Sequence, residues 1–575
     1  MNSAELLKNR IVSIDGQDYG SCKQLYGEYD FPDYKFIIDQ IPGDPYAPPH
    51  TGIFRVQISK NYTLFPAIIK NRLLEIAYRD FFARRFYTVS KEISGIRRGT
   101  GYSGIITIDE PGQAILERTS VLLKEDFVEI CFFMGVPANG RDIDSELAIQ
   151  MIYNELPEII FRSFHSSNIK QKELIAHLHT AVDSEFLREK MKELDLISFI
   201  ADGAKLVRKS GESDLPSDDL SVVPFTSPES LRHTLQLPHA GAITGMGIPS
   251  GVILIVGGGY HGKSTLLRTI ELGIYNHIPG DGREFCITDE SAVKIRAYSG
   301  RYVEKVNISP YIKNLPLEIN TDLFSSVNAS GSTSQAAVIQ ESIESGAKVL
   351  LMDEDTCAAN FMIRDSKMKQ LVGKDDEPIT AFTERIKPLY NKHNISTILV
   401  MGGSGDYFSK ADTVIQMLNF LPLDVTEKAH HIADQKSESP VVEYEHYDDA
   451  VSLMPSERSP QFESIDPYNE YKKISVYASE IKRIHFGKTV IDLTDLEQLM
   501  ELGQTKSIIY ALIYLNKYID GKKKLKELLN IVQRDLEVNG LQILSQKISG
   551  HFSEFRMLEL AGALNRLRTL KVTTI

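Results

Sequence analysis

The chain has 575 residues, with 77 acidic against 64 basic side chains and a formal charge of −13. Its 42% hydrophobic and 25% charged content is ordinary for a globular protein and excludes wholesale disorder. No apolar run approaches the ~18–20 residues of a membrane span, and the four dispersed cysteines, Cys22, Cys131, Cys286 and Cys357, form no CxxC pair. That spacing argues against a zinc cluster or a disulfide scaffold and predicts a reducing, cytoplasmic setting with no membrane partner. The opening MNSAELLKNR carries no apolar core of the kind a secretory leader needs.

An N-terminal region runs over residues 1–205. Between Lys60 and Arg98 it holds nine basic residues against three acidic ones, interleaved with Tyr62, Phe65, Tyr78, Phe81, Phe82, Phe86 and Tyr87. Exposed, such a mixture grips nucleic acid, with cations on phosphates and rings on bases. The periodicity also predicts an amphipathic helix over 69–86, whose aromatics are core and whose arginines are solvated. Arg97 and Arg98, followed by Gly-Thr-Gly, are then the nucleic-acid candidates, on a flexible basic loop. A linker over 206–230 is rich in Ser, Asp and Pro.

In the central region, 231–428, short apolar runs (251–256, 348–352, 396–401) alternate with helical stretches, which predicts a mostly parallel sheet. The first run is followed by Gly257-Gly258-Gly259-Tyr260-His261-Gly262-Lys263-Ser264, matching GxxxxGK[ST] at every position, with Thr265 on the helix beyond it. Glycines let backbone N–H groups turn inward around phosphates, Lys263 neutralises β/γ oxygens, and the Ser264 hydroxyl can ligate Mg²⁺. Ninety residues beyond Lys263, an apolar run ends in Asp353-Glu354. The first carboxylate suits Mg²⁺ and the second suits the attacking water, so Glu354 and Lys263 are the catalytic candidates and ATP the nucleotide.

Between these motifs Ser330, Gly331 and Ser332 open a helix, with Ser330 and Asp353 23 positions apart. This arrangement resembles the signature of ABC-class ATPases, in which the serine completes the site of a second subunit. Asn360 stands where that class has an aspartate in its D-loop. Gly403 falls at the switch histidine, leaving either Ser404 or Asp406 to sense the γ-phosphate or a plain tight turn before Tyr407. A connector spans 429–469, and a C-terminal region spans 470–575 with a helix expected from Lys522 to Leu536.

Several long strings resemble the predicted ABC-class ATPase family of bacteria and some eukaryotes, including kinetoplastids. They are Gly245 to Arg268, Asn328 to Gln340, Leu350 to Asp365, Ser396 to Phe408, Gly99 to Val121, Val136 to Ile143 and Asn565 to Arg568. Two departures stand out: Tyr102 replaces a lysine usual in the N-terminal loop, and Tyr298 and Ser299 replace acidic residues. The resemblance implies an α/β protein with a central P-loop ABC-type ATPase domain, an α+β N-terminal domain and a small C-terminal α/β domain. It further implies a homodimer and RNA binding. The expected function is a soluble Mg-ATP hydrolase whose head-to-tail dimer drives a nucleic-acid-binding region. The alternative is a nucleotide-gated clamp with negligible turnover, acting on a protein partner. A transporter subunit is disfavoured by the short interval, 67 residues, between Lys263 and Ser330, and a small-molecule kinase by the signature spacing.

Overall fold

The structure is a computed structural model. It describes all residues except 1–2, 44–47, 212, 220, 365–367, 369–370, 373–376, 436–451 and 575. The expected connector, 429–469, therefore lies partly outside the described residues.

Two compact units divide the chain. The first comprises Met1–Val182, Glu501–Ser507 and Asn539–Glu554. Its sheet is antiparallel, in the order Gly27–Asp30, Tyr34–Gln40, Gly52–Ser59, Phe127–Met134 and Ile106–Thr107, with Val121–Leu123 also paired to Phe127–Met134. The strict in–out alternation of Gly52–Ser59 buries one face, because successive side chains of a strand point to opposite sides. Across three neighbouring strands Phe36, Phe54 and Phe132 stack at 5.8 and 6.0 Å on that buried face.

The helix expected over 69–86 spans Arg72–Ser94 and is capped by Asn71, whose side chain accepts from Leu74 N at 2.9 Å. Its aromatics Tyr78, Phe81, Phe82 and Phe86 are buried, as the core reading requires. Arg72 is exposed as expected, but Arg79, Arg84 and Arg85 are a correction: they are not left to solvent. Arg79 Nε donates to Val121 O at 2.8 Å, Arg84 Nη2 to Ala114 O at 2.6 Å, and Arg85 Nη2 to Arg162 O and Asn168 O at 2.8 and 3.0 Å. These carbonyls lie at the start of a strand, in the last turn of a helix, in a short turn and in a loop, and a long guanidinium supplies several donors at once.

The second unit comprises Asp183–Met500, Ile508–Val538 and Phe555–Ile575. Its main sheet runs Ala292–Ile295, Val349–Asp353, Ser396–Met401, Val252–Val256, Thr413–Leu418, Leu421–Asp424. The first five strands are parallel and the last is an antiparallel edge. Val252–Ile255 and Val349–Asp353 are buried along their length, the pattern of parallel strands covered on both faces. A second, antiparallel sheet pairs Arg232–Leu237, Gly241–Pro249, Leu196–Ala201 and Cys286–Thr288.

The C-terminal residues add a three-stranded sheet, Val476–Glu480, Arg483–Phe486 and Thr489–Asp492, and helices that include Leu525–Asn539, three residues later than expected. The protein is thus mixed α/β, with the P-loop sheet between further N- and C-terminal structure. Among the described residues no helix is long and apolar enough to cross a membrane.

Candidate nucleotide site

The strand Val252–Val256 lies between Ser396–Met401 and Thr413–Leu418, so the loop that follows it emerges at the carboxyl end of the parallel sheet, where ligands of open α/β sheets bind. Gly257 has φ 142°, and a Cβ there would stand 2.5 Å from Met417 O. Gly262 has φ 92°, and its Cβ would meet Phe420 Cδ1 at 2.7 Å. These two positions need glycine for both conformation and space. Tyr260 takes φ 63° and is fully exposed. Gly262 is followed at once by the helix Lys263–Leu272, whose unpaired amides face the loop. Lys263 Nζ donates to Gly257 O and Gly258 O, both at 2.8 Å, placing the ammonium inside the loop. Ser264 is exposed on the first turn, next to Thr265.

A support that the motif does not announce is the hairpin tip Asn419–Phe420, with φ 51° and 67°, the paired positive values of a type I′ turn. Asn419 N donates to His261 Nδ1 at 3.0 Å and Phe420 N to His261 O at 3.1 Å. His261 thereby ties the loop to this hairpin. Two short strands closed by two residues were the available signal.

One strand further out, beyond Ser396–Met401, the parallel strand Val349–Asp353 brings Asp353 and the following Glu354 to the same end of the sheet. Asp353 is 8% exposed, accepts from Asp355 N at 3.3 Å, and pairs with no cation among the described residues. A buried carboxylate without a cation is costly. Together with the Ser264 hydroxyl it is an all-oxygen donor set, which fits Mg²⁺. Glu354 Oε2 accepts from Gly402 N at 2.7 Å and Gly403 N at 3.0 Å. A Cβ on Gly402 would be 3.9 Å from both Lys263 Nζ and Glu354 Oε2, and one on Gly403 would be 3.0 Å from Glu354 Oε1. Both residues therefore act through their backbone, and at the switch position Gly403's lack of a side chain lets Glu354 come close. Ser404 Oγ donates to Asp406 Oδ2 at 2.9 Å, closing a tight turn.

Ser330 caps the helix Gly331–Glu344, its Oγ accepting from Thr333 N at 3.3 Å, and stays exposed itself. Ser332 Oγ donates to Asn360 Oδ1 at 2.8 Å, and Gln335 Oε1 accepts from Ala358 N at 2.8 Å. Signature helix and D-loop are thus one hydrogen-bonded body that starts at the residues following Asp353–Glu354. Asn360, itself exposed, thus meets the helix through its side-chain oxygen.

In the first unit Arg97 is exposed, its guanidinium 4.5 Å from the Tyr102 ring centroid, and Tyr102 lies 4.7 Å from the His50 ring. Arg98 is engaged instead: Nη1 and Nη2 bind Glu155 at 2.5 and 2.7 Å, and Nη2 also reaches Gly104 O at 2.9 Å. The loop expected to be flexible is pinned, with Thr100 N on Ala138 O and Tyr102 N on Pro49 O, both at 2.9 Å.

Comparison with known proteins follows this geometry. Residues 4–166 match the family model described as ATPase of the ABC class, N-terminal; residues 170–451 match the P-loop domain of the ABC ATPase family; residues 475–573 match the MRB1590 C-terminal domain. A curated relative, the uncharacterized protein MJ1628 of Methanocaldococcus jannaschii, is 33% identical over 203 residues. The match covers 33% of this chain and 44% of that protein, so the chain spans less than half the length of this relative. Among solved structures, the ADP conformation of MJ1267, an ATP-binding cassette of an ABC transporter, aligns with 34% of this chain and 89% of that one (15% identity, TM-score 0.23). CbiO1 of Clostridium perfringens, part of the ABC transporter complex cbiONQ, aligns with 42% and 94% (13% identity, TM-score 0.23).

Proposed function

The chain belongs to the ABC-class ATPase family, carrying its P-loop domain together with the family's N- and C-terminal domains, and from that premise we propose an Mg-ATP hydrolase that works as a head-to-tail homodimer. ATP lies on Gly257 to Thr265, with Lys263 turning from the loop carbonyls to the β/γ oxygens. Asp353 and Ser264 would hold Mg²⁺, which supplies charge neutralisation on the phosphates. Glu354 orients the attacking water and takes its proton. Ser330, Gly331 and Ser332 approach the γ-phosphate on a second copy, so ATP closes the dimer and hydrolysis releases it. The observation that carries this reading is the hold of Gly402 N and Gly403 N on Glu354, which fixes a carboxylate beside the P-loop lysine.

We assign nucleic acid, RNA in the first place, to the N-terminal region as the ligand whose hold the ATP cycle changes, in a cytoplasmic setting. Support comes from Arg97, exposed over Tyr102, a cation and ring on one pinned loop. Arg98 serves this loop from beneath by locking it to Glu155. A clamp with negligible turnover is the second reading, favoured by one observation: Gly403 offers no imidazole to the γ-phosphate. Hydrolysis by the full chain, measured with and without RNA, single-stranded DNA and duplex DNA, separates the readings. RNA-stimulated turnover that disappears in Lys263→Ala supports the first. ATP binding without turnover supports the clamp, and absence of binding to any polymer at low salt removes the nucleic-acid assignment.

A further inference from the structure

The string Asn565-Arg566-Leu567-Arg568 begins at the last residue of the helix Met557–Asn565, and three of its side chains are buried. Asn565 Oδ1 accepts from Arg458 Nη2 at 2.9 Å, Arg566 forks onto Asp495 at 2.7 and 2.5 Å, and Leu567 is fully buried. With Leu570 also buried, the backbone at Arg568 is fixed from both sides. Arg568 alone turns to the surface, where Nη1 donates to Val327 O at 3.1 Å and Nη2 to Gly300 O at 3.4 Å.

Those two carbonyls flank the signature. Val327 is on the strand Phe324–Ala329, which runs directly into Ser330, and Gly300 N donates to Ala329 O at 2.9 Å. No carboxylate among the described residues neutralises Arg568, and the residues before Gly300, Tyr298 and Ser299, are uncharged. A guanidinium has five N–H donors, so charge and several donors remain for an anion. Tyr298 braces the other flank: its N–H donates to Ser334 Oγ at 2.9 Å and its hydroxyl to Asp492 Oδ2 at 2.7 Å. Residues of the C-terminal region thus frame the motif on two sides.

We propose that Arg568 is a catalytic arginine delivered in trans: in the head-to-tail dimer it hydrogen-bonds γ-phosphate oxygens of the ATP held on the P-loop of the second copy. The inference rests on the dimeric ATPase reading given above. In the reaction, water oxygen bonds to the γ-phosphorus, the bond from that phosphorus to the β–γ bridging oxygen breaks, and ADP and inorganic phosphate leave. The water proton passes to Glu354. Arg568 stays protonated throughout and offsets the charge that gathers on the equatorial oxygens.

The test compares full-length wild type, Arg568→Ala and Arg568→Lys. Arg568→Ala lowers kcat about 10- to 100-fold and changes Mg-ATP affinity, read by calorimetry, by less than about twofold. Arg568→Lys, which keeps the charge, recovers part of the rate. Mixing Arg568→Ala with Lys263→Ala, each deficient alone, restores about a quarter of wild-type activity, because half of the random dimers then hold one complete site. Wild-type kcat in Arg568→Ala, or no recovery on mixing, overturns the proposal. A parallel mixture of Ser330→Arg with Lys263→Ala tests head-to-tail pairing itself. Recovery in that mixture alone sinks only the role of Arg568; recovery in neither removes the dimer reading and this inference with it.

Discussion

The P-loop and the basic–aromatic helix Arg72–Ser94 are both dense in cations and special residues, yet they use them in opposite ways. At the P-loop, Lys263 is held by carbonyls of its own loop, six and five residues back, and Ser264 faces outward. On the helix, Arg79, Arg84 and Arg85 reach carbonyls and carboxylates 4 to 83 residues away and are committed to them. Asp80, fully buried, gathers Arg84, Arg118 and His177, and Arg118 also binds Glu501. Charge at the first region is available for a ligand, whereas at the second it is consumed in building the fold. Composition cannot separate these cases; partners can.

The comparison is sharpened first by Lys263→Ala, which removes the cation the chemistry needs. Hydrolysis is expected to fall about 10³-fold or more while the thermal midpoint stays near wild type, since Lys263 only bonds its own loop. Phosphate release and a melting curve on the same sample check this. Asp80→Ala inverts the pattern. It takes a buried carboxylate from Arg118, which keeps Glu501, and leaves Arg84 on backbone carbonyls; the expected cost is about 3–5 kcal/mol of stability, read by denaturant unfolding. A loss under about 0.5 kcal/mol, the range of ordinary surface sites, would return the helix to a solvated role.

A finer contrast lies within one dipeptide. Arg98→Ala leaves Glu155, whose side chain is 10% exposed, without its guanidinium, and is expected to lose about 1–3 kcal/mol. Arg97→Ala leaves stability within about 0.5 kcal/mol but weakens RNA binding and its salt dependence, measured by anisotropy across a salt series.

The smallest effect concerns pH. Burial first, and then the nearby Arg84 and Arg118, push His177 from its usual 6.5 to about 3, so its imidazole is neutral and Nε2–H donates to Asp80. Because the folded value lies below the unfolded one, the unfolded chain takes up the proton first as pH falls. This contribution is intact above about 6.5 and declines toward 3. His177→Gln is expected to flatten acid sensitivity between those limits in pH-resolved unfolding, whatever its effect at neutrality.

The legibility of each region follows from the range of its contacts. The P-loop, the Asp353–Glu354 strand end and the signature helix were readable because each packs its requirement into adjacent residues with a fixed spacing. Strand Ser396–Met401 coincided with its predicted bounds because all six residues are buried and apolar or small. The fixed roles of Arg79, Arg84 and Arg85 are not legible because the carbonyls they bind lie 30 to 83 residues further along the chain, and a helical pattern says nothing about distant partners. Likewise nothing in residues 501–507 and 539–554 signals that they join the unit built on residues 1–182. Gly403 stands in sequence as the loss of a switch residue; its N–H bond to Glu354, beside that of Gly402, shows that a backbone can carry a contact which sequence records only as an absent side chain.

The central claim, that Glu354 activates water at an ATP-closed dimer, is tested most directly by sedimentation of Glu354→Gln with Mg-ATP. The amide keeps an oxygen acceptor for Gly402 N and Gly403 N but no longer takes the proton, so hydrolysis should drop about 10²-fold or more while a closed, ATP-loaded dimer accumulates. A Glu354→Gln protein that stays monomeric with ATP bound, or that hydrolyses at the wild-type rate, would contradict the account.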